Sequence, residues 1–339
     1  MGIYYNYVDE KKKDNAQTTE KKEINEKKIE QNKNNRYKDI LNFHVINAIE
    51  THDIDNVILL SKEGDFIASS DYGIEIYNKE QKLIKSYQKD KINTICLINE
   101  NLLVYNNKND LIFLSINNLK EIQIINKAHE AKRITKIIKG RNEKEIISLD
   151  LLGTIKFWNK KSQNFEISET IQVLNEEQDE DNYNKFYDLL LINNILLVKN
   201  SNTLFSYDLN NNNKNNQIIN YYNKKIFWYQ RNLKIIDKKN KIFAVVQDHT
   251  YIYKLNDNNM IQLCTIIHSR KYCEFNSVCL FMNKYILVGN NVGNLFILNS
   301  KNYKLIKKLY ITHQSFEITE LTDNTFAAYG SGEIIFWKA

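Results

Sequence analysis

The chain has 339 residues, 42% apolar and 12% aromatic, enough to bury a large core. No window approaches 18 consecutive apolar residues, so no membrane span is expected. Residues 1–38 carry ten basic and seven acidic side chains, which leaves 37 basic against 34 acidic in the body and argues against a nucleic-acid binder with a concentrated basic face.

Met1–Lys13 lacks the apolar stretch of a secretory signal. Asn6 also stands where an N-myristoylation signal needs Ser or Thr. From Asp9 to Lys38 the sequence is almost entirely Lys, Glu, Asn, Asp and Gln, with only Ala16, Ile24, Ile29 and Tyr37 apolar. Such a stretch cannot bury enough surface to offset its ordering entropy, so residues 1–38 are expected to form a disordered charged tail. Glu23 and Lys27 stand four apart, and a transient helix is the alternative. Next comes Asn42–Ile49 (NFHVINAI), which reads as a strand or, by pattern alone, as a short amphipathic helix.

The body then repeats one phrase: an apolar run, a turn, a second run, a turn, and a short strand ending in a large residue. The third strands end at Tyr77, Leu114, Trp158, Tyr207, Tyr253, Leu298 and Trp337, spaced 37, 44, 49, 46, 45 and 39 residues apart. That period is the one expected of four-stranded propeller blades. The third phrase shows all four strands, at Ile134–Ile138, Glu145–Leu149, Thr154–Trp158 and Phe165–Ile171. The sixth repeats the order at Ser277–Phe281, Tyr285–Val288, Leu295–Leu298 and Leu305–Ile311. Two polar inserts, Glu176–Asp181 (EEQDED) and Asn210–Asn216 (NNNNKNN), read as surface loops. The acidic one is also a candidate dock for a basic partner.

Since Trp337 ends the third strand of the last phrase, a fourth must come from elsewhere or leave an unpaired edge. Asn42–Ile49 is expected to supply it. The fold class read from these patterns is all-β: a seven-bladed β-propeller over 42–339, closed by a strand from near the N-terminus.

DLLGTIKFWN at 150–159 and SGEIIFWK at 331–338 resemble the Asp-Gly-Thr-Ile…Trp-Asp phrase of WD40 repeats. The resemblance covers Asn42–Ala339, although only two blades retain the Trp. It implies a set of structural blade residues, in which a His, a Ser or Thr, an Asp and the Trp share a buried hydrogen-bonded network. Blade one supplies His52, Asp71 and Tyr77, with Ile67 at the expected Ser position. Blade three supplies His129, Ser148 and Trp158, with Leu152 at the Asp position and Asp150 two residues early. Blade seven supplies His313 and Trp337 without the Asp. On this reading no blade is complete, and apolar packing carries the fold.

Residues with the chemistry for catalysis form no recognisable site. There is no phosphate-cradling glycine loop, and Gly330-Ser331-Gly332 lies in a strand–turn–strand context that does not suit a nucleophile elbow. Cys264, His268, Cys273 and Cys279 are the one cluster with metal-ligand chemistry, but their spacing matches no zinc module. The four cysteines read as reduced thiols of a cytoplasmic or nuclear protein. His249 falls in a turn of blade five with no recognisable partner. Tyr221–Arg231 (YYNKKIFWYQR) has the composition of a binding hot spot, with Tyr221, Tyr222, Lys224, Lys225 and Arg231 as partner-binding candidates. Phe227 and Trp228 within it read by preference as a core strand.

The resemblance implies a non-catalytic scaffold for protein–protein interaction, with other proteins as partners, no cofactor and no metal. Two alternatives remain: an RNA-associated propeller whose Lys-rich tail touches phosphates, and an enzyme or small-ligand binder with polar residues converging on a central channel.

Overall fold

Strand side chains alternate between two faces, and here each face meets a different neighbour. In the second strand of blade three, Glu145–Asp150, Ile147 and Leu149 pack with Phe186, Leu189, Leu196 and Val198 of blade four. Ile146 of the same strand packs with Val104, Leu111 and Phe113 of blade two. All six residues of that strand are therefore buried, and the sequence shows an apolar run instead of strict alternation.

The computed structural model describes residues 43–339 apart from 90–91, 131, 174–184, 201–202, 211–216, 221–231, 247–248, 269–273, 312–315, 323 and 331. Its strands form seven four-stranded sheets. The chain divides into a unit spanning Val45–Trp337, which holds the blades, and a second unit of Met1–His44 with Lys338–Ala339. Only residues 43, 44, 338 and 339 of the second are described, so the expected tail and both polar inserts lie largely outside the described residues.

Seven strands lie innermost: Ile54–Leu59, Ile92–Asn99, Ile134–Lys139, Phe186–Ile192, Asn232–Asp237, Phe275–Phe281 and Glu317–Thr322. Each touches the next in this order, and the last touches the first. The ring closes. Apolar clusters fill the seams between consecutive blades from one through six, and another joins blade seven to blade one. Between blades six and seven Phe281 meets Phe326 edge-on, with ring centroids 5.3 Å apart. At this seam a Cβ on Gly289 would stand 2.8 Å from the Phe316 ring, so the close approach requires glycine.

The seven end markers occupy equivalent places. All are buried in the third strand of their sheet. In five blades the pairing of third with fourth strand slips at the marker itself: Ile76/Tyr77, Phe113/Leu114, Phe157/Trp158, Ile252/Tyr253 and Ile297/Leu298. A bulge repeated at one position bends each outer strand in the same way.

Blade seven is completed as the sequence predicts. Its sheet runs Glu317–Thr322, Thr325–Gly330, Glu333–Lys338 and then His44–Glu50, so the N-terminal segment is the outermost strand. It is a strand and not the alternative helix because the edge of Glu333–Lys338 offers it a ladder of backbone partners. Thr51 N also donates to Gly332 O at 2.8 Å, continuing the connection past the strand end.

Candidate functional site

The expectation that no blade carries a complete polar network is corrected in blade three. Trp158 Nε1 donates to Ser148 Oγ at 2.8 Å, and Ser148 Oγ lies 2.7 Å from His129 Nε2. His129 Nδ1 lies 3.1 Å from Asp150 Oδ2. All four residues are buried. Asp150, not position 152, is the acid of the set. From the end of its strand it reaches the imidazole with one oxygen, while its other oxygen accepts the Leu152 and Thr154 amides of the following turn, both at 2.9 Å. Burial opposes its charge, yet the His129 and Thr154 hydrogen bonds outweigh burial and hold its pKa below the ordinary carboxylate value. Asn290 caps the same turn in blade six, accepting Val292 N at 3.2 Å and Asn294 N at 2.8 Å.

Blade one builds no such network from His52 and Asp71, because both are exposed. The His52 ring rests on Tyr72, with centroids 4.6 Å apart. Tyr77 is buried, and its hydroxyl donates to Glu75 Oε2 at 2.7 Å. The pairing register also moves the Ser position: Ser148 pairs with the residue two before Trp158, and the residue paired two before Tyr77 is Ala68, not Ile67. In blade seven Trp337 stacks on Phe326, but its Nε1 has no hydrogen-bond partner among the described residues. Ala328, two residues before the end of its strand, stands where blade three has Ser148. His313 lies outside the described residues.

Polar groups do converge on the ring of innermost strands. Asp188 of blade four, 0% exposed, meets Lys136 Nζ of blade three at 3.0 Å. It also accepts Leu233 N of blade five at 2.5 Å and Leu189 N at 2.9 Å. Lys199 pairs with Asp188 across the strands and is itself buried. Burial pushes its pKa down to about 8, with the Asp188 charge opposing that fall. Lys234 of blade five lies 3.4 Å from Glu317 Oε2 of blade seven. Burial works against its charge too, but the Glu317 and Asp188 carboxylates prevail and raise its pKa. Each of these charges faces an opposite one, so the set ties blades three, four, five and seven together. That arrangement favours a structural role over a ligand cavity.

The rim differs. Val45 and Ile46 of blade seven, Leu83 and Ile84 of blade one, and Ile122 and Ile124 of blade two are all exposed on outermost strands. The candidates Tyr221, Tyr222, Lys224, Lys225 and Arg231 lie outside the described residues, as does Cys273. Cys264 sits on the outermost strand of blade five and Cys279 on the innermost of blade six, so the fold sets them at opposite radial ends of their sheets. Burial raises the Cys279 thiol well above its ordinary value, as it raises Cys96 to about 12. No group of three or more metal-ligating side chains occurs among the described residues. His249, which has no sequence neighbour to mark it, faces His268 across the sheet with ring centroids 4.9 Å apart.

No family model and no curated protein sequence matches this chain. Among solved structures it is similar to the crystal structure of the Myceliophteria thermophila Cps50 (Swd1) β-propeller domain. The TM-score is 0.70 at 11% identity, over 88% of this chain and 99% of that one. The likeness is one of fold. No helix among the described residues is long and apolar enough to cross a membrane.

Proposed function

We propose that this chain is a non-catalytic WD40-like scaffold that binds other proteins as a subunit or adaptor of a larger intracellular assembly. The observation that carries this reading is the band of exposed apolar side chains on the outermost strands, in blades seven, one and two and also at Ile167 of blade three, Leu263 of blade five, and Leu305 and Tyr310 of blade six. Leu83, Ile84 and Ile122 are each more than half exposed (53%, 51% and 57%) on consecutive sheets. Single exposed apolar residues are ordinary, whereas a run of them across adjoining blades is what a docking surface presents. The closed ring supplies rigidity, so an attached partner is held in fixed orientation. The paired channel charges and the near balance of charge in the body both point away from catalysis and from nucleic acid.

Proximity labelling in the native organism tests it. The wild-type chain should mark a reproducible set of protein neighbours, and Ile84→Glu with Ile122→Glu should remove a subset while leaving the unfolding temperature within a few degrees. An unchanged set of neighbours in the double variant would rule out the rim of blades one and two as the docking surface.

A further inference from the structure

We infer that His249 and His268 form a binding site for a divalent transition-metal ion of the zinc type. In blade five the strands Thr250–Leu255 and Ile261–Ile267 pair antiparallel, with Thr250 opposite Ile267. One step beyond that pair brings His249 opposite His268. Directly opposed residues on an antiparallel pair hold their Cβ atoms about 5 Å apart, a separation that two imidazoles can bridge to one ion.

The observed rings fit that use. Their centroids are 4.9 Å apart and their planes are inclined by 76°, so the rings lie close together without stacking. Zinc binds imidazole nitrogen at about 2.0–2.1 Å, and two rings on one tetrahedral ion then have centres about 5 Å apart. His268 is exposed and His249 partly exposed, so an ion reaches them from solvent. Tyr251 flanks the pair, its ring 6.2 Å from that of His249. Two protein ligands leave two positions of a tetrahedral ion open to water or to a donor from a bound protein. Imidazole suits zinc, nickel and copper, whereas magnesium and calcium want oxygen. The inference does not rest on the scaffold reading, since two imidazoles can take up an ion whether or not a protein docks on the rim.

The test is calorimetric titration of the tag-free full chain with zinc chloride and, separately, magnesium chloride. His249→Ala, His268→Ala, the milder His268→Gln and the control His52→Ala are titrated alongside, with folding of each checked by circular dichroism. One zinc ion should bind the wild-type chain and His52→Ala equally, at least tenfold more weakly after either change at 249 or 268, and magnesium should give no binding. His268→Gln replaces an exposed side chain by a polar one, so it keeps the test decisive if an alanine variant does not fold. The inference is overturned by absence of zinc binding, by unchanged zinc affinity in the folded variants, by loss in only one of the two positions, or by magnesium binding as well as zinc.

Discussion

Ser148 Oγ serves two buried nitrogens, Trp158 Nε1 and His129 Nε2, in a site closed to solvent. Ser148→Ala leaves both without that oxygen, and buried polar groups cost about 1–3 kcal/mol each when stranded. The variant should lose roughly 2–6 kcal/mol in denaturant unfolding. The reverse experiment belongs to blade seven, where Trp337 Nε1 already lacks an acceptor among the described residues and Ala328 occupies the serine place. Ala328→Ser should add about 1 kcal/mol. A loss there would show that the indole does not face position 328. All four blade-three residues stand in the sequence, yet the repeat phrase pointed to position 152 for the acid. The phrase records spacing along the chain, whereas the hydrogen bond depends on Asp150 ending its strand with one oxygen toward His129 and the other toward the turn. Residue types were legible at this scale. The direction of a side chain was not.

Among the strands, His44–Glu50 has the largest consequence, because it covers the edge of Glu333–Lys338 and finishes the sheet that closes the ring. Its side chains are mostly exposed, so its contribution comes chiefly from backbone pairing and not from burial. Deleting residues 1–36 should leave a cooperative thermal transition at the wild-type temperature. Deleting residues 1–52 should lower and broaden it, since a four-stranded sheet loses a member and exposes an edge. Equal transitions in the two truncations would show that the strand is dispensable. The four-strand order of blades three and six was legible from apolar runs and turns, with ends shifted by at most three residues. Exposed outer strands such as Leu83–Gln88 and Glu121–Ile125 carry a weaker pattern, because one of their faces meets water.

At the scale of the whole molecule, the ring is held by apolar seams and by the charged ties around Asp188. Lys199 reports on those ties through pH. Its pKa is depressed from 10.5 to about 8, so below pH 8 it is charged in both states and the full cost of burying that charge is present. Between pH 8 and 10.5 only the unfolded chain binds the proton, and stability from this group rises with pH. Relative to Lys199→Met, the wild-type chain should therefore gain on the order of 3 kcal/mol between pH 7 and 10.5. A difference that stays constant over that range would mean that burial does not depress Lys199. The sequence by itself determined the number of blades, their period and the need for a borrowed strand, because strand length, turn chemistry and edge pairing are local demands written along the chain. Tertiary structure alone decided that Lys136, Asp188, Lys199, Lys234 and Glu317 meet, and that His249 faces His268. Those contacts arise from closing a ring and from pairing register, and neither leaves a fixed spacing in the sequence.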